Sequence, residues 1–227
     1  MSAGIRSAFY DLDGTLISGN VVTRYAFLAR NLPSRARAVW KCGKLAASLP
    51  FWIGLDLYSR RLFNEVFYQE YRGLGRAWLE SMTERMFSEE VHPKIYPGAK
   101  ELVEADRAAG FRTVLVTGGL DFDLPPVIRH FGFDHVISNR LVFENGRATG
   151  ELTPPVIAEA GKQAALAGFC RDYNVDTAQS KAYSDSFSDL LMLESVGLPA
   201  AVNPDRRLRQ AARKRGWPIL ILHQAKP

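Results

Sequence analysis

SAFYDLDGT, residues 7–15, joins a short apolar run to two carboxylates, a glycine and a threonine. Residues 7–10 are typical of a buried strand that ends at Asp11. A turn beginning at Gly14 can bring the carboxylates of Asp11 and Asp13 to one opening. Two carboxylates at such a short distance repel each other, so both are ionised only when a cation lies between them. Mg²⁺ is a suitable cation because it prefers oxygen ligands. The stretch therefore predicts a magnesium site at a strand end, the alternative being an acidic turn whose Thr15 caps a helix.

Strand and helix patterns alternate along the second half of the chain. The predicted strands are 111–116, 135–138, 181–183, 199–202 and 218–222, and the predicted helices are 99–109, 125–131, 161–173, 188–194 and 205–215. An Asn145-Gly146 turn indicates a β-hairpin over 141–149. Such alternation predicts an α/β fold with a parallel central sheet covered by helices on both faces.

Polar residues follow several of these strands at the point where each strand ends. Asp11 and Asp13 follow the first strand, Thr117 follows the strand 111–116, and Ser184-Asp185 follows the strand 181–183. Parallel sheets bind ligands at the carboxyl ends of their strands. These residues are therefore predicted to form one site.

Residues 18–90 show helical spacing and no convincing strand, and the prolines and glycine of 92–98 mark their end. The pattern predicts a catalytic core built from 1–17 and 91–227, with 18–90 inserted as a helical cap.

Composition and charge narrow the class of protein. The 227 residues carry a net charge of +5 and a pI of about 9.3, which favours anionic partners. The basic run 205–215 lacks the interleaved aromatic residues of single-strand nucleic-acid binders, so no nucleic-acid partner is predicted. Cys42 and Cys170 lack metal-ligand spacing and are interpreted as reduced thiols of a cytoplasmic protein. The oligomeric state is left open.

Residues 38–55 (AVWKCGKLAASLPFWIGL) form the most apolar stretch, interrupted by Lys41, Lys44 and Pro50. The lysines and the proline argue against a membrane span. Arginines on both sides suit a segment that makes peripheral contact with a membrane surface. The alternative, which we prefer, is a buried helical hairpin in an inserted domain.

Four motifs in order complete the pattern: Asp11-Leu12-Asp13-Gly14-Thr15, then Thr117-Gly118-Gly119, then Lys162 after Gly161, then residues 184–189 (SDSFSD). In these motifs the chain resembles the haloacid dehalogenase superfamily of phosphohydrolases, in its phosphoserine-phosphatase-like branch with a helical cap. The resemblance implies a Rossmann-like three-layer sandwich with an inserted all-helical cap, and a Mg²⁺-dependent phosphatase that acts on a small phosphorylated metabolite.

The same resemblance implies a role for each motif residue. Asp11 is the nucleophile that forms an aspartyl-phosphate, and Asp13 is the general acid and base. Mg²⁺ is held by Asp11, Asp185 and the backbone carbonyl of Asp13. Asp189 supports this metal site either by contacting the ligand residues or through a water molecule. Lys162, Thr117, Gly118 and Gly119 bind the phosphoryl oxygens, with Lys162 also contacting Asp11.

Asn20 is a candidate for selecting the substrate. Phosphoserine phosphatases usually carry a glutamate at this spacing from the nucleophile, where it can pair with the substrate ammonium, and Asn lacks that charge. Ser188 is a second departure, since those enzymes commonly have Asn there. Phosphoserine phosphatase and a membrane-surface lipid-phosphate phosphatase are the alternative functions. A phosphate-accepting receiver domain is disfavoured because such domains lack the helical insert.

Overall fold

The computed structural model describes residues 4–222, and its central feature is a parallel sheet of six strands. The strands are β1 (Ser7–Tyr10), β2 (Arg112–Leu120), β3 (His135–Asn139), β4 (Leu141–Glu144), β5 (Arg147–Leu152), β6 (Lys181–Ser184), β7 (Leu198–Val202) and β8 (Ile219–Leu220). The order in the sheet is β3-β2-β1-β6-β7-β8, while β4 and β5 form a separate antiparallel pair. All neighbouring strands of the sheet run parallel, as the sequence predicts.

β1 lies in the middle of this sheet because its side chains are apolar on both faces. Ala8 and Tyr10 enter one hydrophobic cluster, and Phe9 enters the cluster on the opposite face. Five helices cover the two faces: α6 (Ala99–Ala108), α7 (Pro125–Phe131), α8 (Ala160–Asp172), α9 (Leu190–Glu194) and α10 (Arg206–Arg215). α6 and α7 pack on the face of Tyr10, and α8, α9 and α10 pack on the face of Phe9. The three-layer prediction is confirmed.

The chain between β1 and α6 is helical, as predicted. It contains α1 (Val21–Arg30), α2 (Arg35–Tyr58), α3 (Arg60–Phe67), α4 (Arg76–Ser81), α5 (Thr83–Met86) and short turns of other helical types up to Lys94. Tyr25, Phe67 and Tyr71 are fully buried at the centre of its aromatic cluster. The insert thus has a hydrophobic core of its own, although the boundaries 1–17, 18–90 and 91–227 stay a prediction.

The β4–β5 hairpin packs against the insert, although the sequence places it in the catalytic core. The backbone of Ala148 exchanges hydrogen bonds with Gly73 and Leu74, and Leu141 and Ala148 lie in the aromatic cluster of the insert. Asn145 and Gly146 have φ of 48° and 73°, the conformation of a two-residue hairpin turn. The helical cap therefore gains a β-hairpin from a distant part of the chain.

α2 corrects the interpretation of residues 38–55 as a buried hairpin. The segment is part of a single helix of 24 residues that continues through Pro50. Only Ala38, Leu45 and Trp52 of this helix are buried. No helix within residues 4–222 combines the length and the apolar character that crossing a bilayer requires.

Candidate active site

Asp11 lies directly after β1, at the carboxyl end of the middle of the sheet. Its backbone N–H donates to the carbonyl of Tyr183 in β6 at 3.0 Å, which holds the turn between the two strands. The residue is 6% exposed. Lys162 Nζ donates to Asp11 Oδ1 at 2.6 Å, and the Thr15 hydroxyl donates to Oδ2 at 3.1 Å. Asp11 is therefore fixed on two sides, with one contact to each carboxylate oxygen.

Asp185 faces Asp11 from the end of β6. The Thr15 hydroxyl lies 3.2 Å from Asp185 Oδ1 and so links the two carboxylates. Gly14 permits this approach: it has φ of +85°, and a Cβ built there lies 2.1 Å from Asp185 Oδ2. Any larger residue at position 14 displaces Asp185.

The charges at this point fit a divalent cation. Burial, and then repulsion by Asp11 and Asp189, raises the pKa of Asp185 well above its usual range. Burial also raises the pKa of Asp11 to about 6, although Lys162 opposes the change. Asp11 is buried and Asp185 half-buried, and a bound Mg²⁺ would stabilise the ionised form of two neighbouring carboxylates whose pKa values are raised.

Side chains alone do not complete such a site. Within residues 4–222, no three His, Cys, Asp or Glu side chains gather around one point. The predicted set uses Asp11, Asp185 and the main-chain carbonyl of Asp13. Mg²⁺ commonly keeps several waters and takes one or two carboxylates, so this smaller set suits it.

Lys162 is buried between Asp11 and Asp189. Its Nζ donates to Asp189 Oδ2 at 2.7 Å, and the Ser184 hydroxyl donates to the same oxygen at 2.8 Å. Burial alone lowers the pKa of Lys162, but Asp11 and Asp189 raise it above its usual value, so the ammonium is charged. Asp189 thus orients Lys162 through a direct contact. The sequence predicts only that Asp189 supports the metal site, so this contact is an addition to that prediction.

Asp13 lies on the other side of the site, in contact with a cap residue. Arg24 of α1 donates from Nη1 to Asp13 Oδ1 at 2.6 Å and from Nη2 to Oδ2 at 2.9 Å. Its Nε lies 3.1 Å from Asp123 Oδ2. Arg24 is 3% exposed, and a bidentate pair at this burial fixes the Asp13 carboxylate firmly.

The second motif is placed differently from the prediction. Thr117, Gly118 and Gly119 lie inside β2, and β2 shifts register beyond Val116. Gly118 lines a cavity that Asp11 and Lys162 also line, and we call it the catalytic cavity. Thr117 is fully buried, and its hydroxyl accepts from the Gly119 amide at 3.0 Å. The phosphate-binding roles of Thr117 and Gly119 stay predictions, and Gly118 is the residue of this motif at the cavity.

The cavity between cap and core has a volume of about 40 Å³, on the scale of a few waters. Its lining includes Asp11, Asp13, Gly118, Lys162, Asp185 and Asp189 of the predicted site. α3 adds Arg60 and Asn64, one helical turn apart. Asn64 is 2% exposed and its Nδ2 is buried without a hydrogen-bond acceptor. An unsatisfied buried donor is costly, so this amide is suited to a ligand atom in the cavity.

A second, larger cavity of about 470 Å³ adjoins Asp13 and Asp185 and runs between α1 and α2. We call it the leaving-group chamber. Its apolar wall consists of Val21, Val22, Leu49, Trp52, Ile53 and Phe63. Asp56 also lines it, but its Oδ1 lies 2.9 Å from Arg60 Nε.

Asn20 lines this chamber and also begins α1. Its Oδ1 accepts from the Thr23 amide at 3.0 Å, and the Thr23 hydroxyl bonds back to the Asn20 backbone. Its established role in the fold is therefore that of a helix cap. Its role in substrate selection stays a prediction.

Sequence patterns missed Arg24, Arg60 and Asn64. Arg24 interrupts the apolar face of α1, which carries Val21, Tyr25 and Leu28, and a cation on such a face is a signal for a buried acidic partner. No comparable signal separates Arg60 and Asn64 from the other polar residues of α3.

The model of the haloacid dehalogenase-like hydrolases matches residues 8–194, and the chain belongs to this family. A probable phosphatase of Mycobacterium tuberculosis is 32% identical over 94% of the chain and 74% of its own length. A phosphoserine phosphatase of the same species, SerB1, is 30% identical over 94% of the chain and 70% of its own length.

Among solved structures, a protein of unknown function from Bordetella pertussis Tohama I has a TM-score of 0.82 and 26% identity. The match covers 97% of the chain and all of that protein. Family, fold class and the phosphatase type of enzyme are thereby confirmed.

Proposed function

We propose that the chain is a Mg²⁺-dependent phosphomonoesterase that works through an aspartyl-phosphate on Asp11. The observation that carries this proposal is the convergence of Asp11, Lys162 and Asp185 on one buried cavity at the ends of β1 and β6. Bound Mg²⁺ supplies positive charge that neutralises the phosphoryl oxygens and lowers repulsion toward the Asp11 carboxylate. Asp11, Asp185 and the Asp13 carbonyl are the groups suited to hold it.

In the first half-reaction, Asp11 Oδ attacks phosphorus and the bond between phosphorus and the ester oxygen breaks. The departing alcohol takes a proton from Asp13. Lys162 stabilises the transferring phosphoryl group. In the second half-reaction, Asp13 accepts a proton from water, which attacks phosphorus, releases inorganic phosphate and regenerates the Asp11 carboxylate.

Arg24 sets a condition on this cycle. Its bidentate contact stabilises the Asp13 carboxylate, which is the form that activates water. Delivery of a proton to the alcohol requires that the Arg24 contact loosens when substrate enters. A cap that shifts slightly on substrate binding accomplishes this, since Arg24 belongs to α1 of the cap.

The chamber supports a small phosphorylated substrate without an amine. Apart from Asp13 and Asp185, the acidic residue in the lining of the chamber is Asp56, and its carboxylate is already paired with Arg60. An ammonium group entering the chamber therefore meets Asn20 rather than a free carboxylate. Phosphoserine is the second candidate substrate because a relative carries the name phosphoserine phosphatase.

Release of phosphate from p-nitrophenyl phosphate tests the reaction. We expect turnover with Mg²⁺, its loss with EDTA, and a decrease of at least about 10³-fold for Asp11→Asn. Absence of turnover in the unaltered chain with Mg²⁺, for this and a panel of phosphorylated metabolites, contradicts the proposal. Within the panel, we expect esters that lack an amine to be preferred over phosphoserine, and the reverse preference contradicts the role given to Asn20.

The two cysteines support a cytoplasmic location. Cys42 and Cys170 are unpaired thiols, and Cys170 is buried. Free thiols persist in a reducing compartment, so we infer that the enzyme acts there.

A further inference from the structure

α2 exposes most of its surface, and that surface is apolar. Ala38, Leu45 and Trp52, spaced by seven residues, form the narrow stripe that packs on the cap. The rest of the helix is open: Val39 is 75% exposed, Leu57 78% and Tyr58 81%. In residues 4–222, twelve large hydrophobic side chains are exposed, and seven belong to α2, namely Val39, Trp40, Leu49, Phe51, Ile53, Leu57 and Tyr58. We call these seven the α2 face; an apolar patch of this kind marks an interaction site.

The charged residues of α2 and of the segments that flank it are almost all positive. Residues 30–61 contain seven Arg and Lys and one acidic residue, Asp56. Arg60 pairs with Asp56, Lys44 with Glu70 and Arg61 with Glu65, so the unpaired positive charge of this segment is concentrated toward the start of α2. Arg35 and Arg37, at the start of α2, are exposed and form no ion pair with any residue of the described chain. A helix with a wide apolar face and a cationic margin is complementary to an anionic lipid surface.

The α2 face is continuous with the leaving-group chamber. Leu49 and Ile53 are 42% and 59% exposed, and both also line the chamber. From there the apolar wall passes Trp52 and Phe63 and reaches Asp13 and Asp185. An apolar chain can therefore follow this wall from the catalytic carboxylates to the α2 face, beside the paired charges of Asp56 and Arg60 in the same lining.

We propose that α2 lies on an anionic membrane surface and that the enzyme hydrolyses the phosphate monoester of an amphiphile presented there. This inference rests on the proposed function, since the reaction is the same: water replaces the ester oxygen on phosphorus, and alcohol and inorganic phosphate leave. The phosphate occupies the catalytic cavity, and the apolar part of the alcohol follows the chamber toward α2. The helix lies in the interface, with its apolar side chains among the outer acyl segments.

Flotation of the full chain with vesicles tests the surface. The vesicles contain either phosphatidylcholine alone or phosphatidylcholine with about one third phosphatidylglycerol. We expect binding to the anionic vesicles, weaker binding at high salt, and a decrease of at least about 10-fold for the double variant Trp40→Glu, Phe51→Glu. Ile221→Glu is the matched control, because Ile221 is exposed to 44% and lies outside α2. It should bind like the unaltered chain.

Turnover separates the inference from the proposed function. Dioleoyl phosphatidate in the anionic vesicles and p-nitrophenyl phosphate in solution serve as the two substrates. We expect the double variant to lose at least about 10-fold on the vesicle substrate and to retain its rate on the soluble one. Turnover of the soluble ester by an unaltered chain that neither floats nor hydrolyses phosphatidate overturns the inference and leaves the proposed function intact. Absence of all turnover with Mg²⁺ overturns the proposed function itself.

A second copy of the chain is the competing occupant of the α2 face. Sedimentation that shows a dimer, which Trp40→Glu, Phe51→Glu converts to a monomer while vesicles bind neither form, overturns the inference. A monomer that binds vesicles supports it. Trp40→Phe, Phe51→Leu should retain vesicle binding, which separates loss of apolar contact from damage to the helix.

Discussion

Arg24 of the cap and Asp13 of the core form a bidentate ion pair, with distances of 2.6 and 2.9 Å between their nitrogen and oxygen atoms. Arg24 does not line the catalytic cavity or the leaving-group chamber. In the proposed mechanism it is therefore a positioning residue, which would act on the reaction through the carboxylate of Asp13. The same guanidinium contacts Asp123, so one buried cation holds the half-buried Asp13 and the buried Asp123 between cap and core.

Two replacements of Arg24 separate the effect of its positive charge from the effect of its planar, two-pronged hydrogen-bonding geometry. We expect Arg24→Leu to destabilise the fold by about 3–5 kcal/mol, because Asp13 and Asp123 lose their cation in a buried position. Arg24→Lys keeps the charge and loses the planar fork, so we expect kcat to decrease about 10-fold or more with little change in KM. Steady-state kinetics and urea unfolding measure both effects. An altered KM with an unchanged kcat for Arg24→Lys contradicts the positioning role.

Asp123 makes stability depend on pH. Burial raises the pKa of Asp123 from 3.8 to about 6, although Arg24 opposes the change. The folded chain therefore holds the Asp123 proton more tightly than the unfolded chain, and this contribution to stability is lost as pH rises from about 4 to about 6. We expect the unfolding free energy of the unaltered chain to fall relative to that of Asp123→Asn by at most about 3 kcal/mol across this window. Unfolding in EDTA at several pH values measures it, and a pH-independent difference contradicts it.

Gly14 tests the metal site. A Cβ at Gly14 lies 2.1 Å from Asp185 Oδ2, so we expect Gly14→Ala to displace Asp185 and to raise the Mg²⁺ concentration for half-maximal activity at least about 10-fold. Gly146→Ala is the control, because Gly146 also has positive φ but has no atom within 4 Å of its Cβ position. The control should lose only about 1 kcal/mol of stability and keep its Mg²⁺ dependence. Equal Mg²⁺ dependence in both variants argues against Asp185 as a ligand.

We expect Asn64 to contribute to activity without contributing to the stability of the fold. Its buried Nδ2 has no acceptor, so Asn64→Leu should leave stability unchanged or raise it by up to about 2 kcal/mol, while kcat/KM falls about 10-fold. Asn139 is the matched control, since its amide donates to the Gly118 carbonyl at 2.9 Å and its Oδ1 accepts from the Ile157 amide at 2.8 Å. Asn139→Leu should destabilise the fold by a few kcal/mol. A destabilised Asn64→Leu with full activity contradicts a ligand role for Asn64.

The sheet and the grouping of the motifs were predictable because both follow from local patterns. Asp11 and Asp185 meet because each follows a strand, and parallel strands present their carboxyl ends at one edge. Gly118 joins them from the part of β2 that extends beyond its pairing with β1. The exact end of β2 was not predictable, because the residues beyond Val116 shift register against β3 rather than turning away. The hairpin was found from its Asn-Gly turn, but its packing on the cap depends on contacts with Gly73 and Leu74, distant in sequence.

The sequence by itself determined the class of fold and the meeting of Asp11, Asp13 and Asp185 at one edge of the sheet, because both depend on neighbours along the chain and on the direction of the strands. Only the tertiary structure decided which cap residues reach the core and which face of α2 remains open. A helical pattern shows that a helix is amphipathic or apolar, but the rotation and docking of that helix depend on its packing partners. The contact of Arg24 with Asp13 and the position of Asn64 at the cavity therefore depend on how the cap helices dock. For the same reason α2, an apolar helix expected to be buried, has an exposed α2 face.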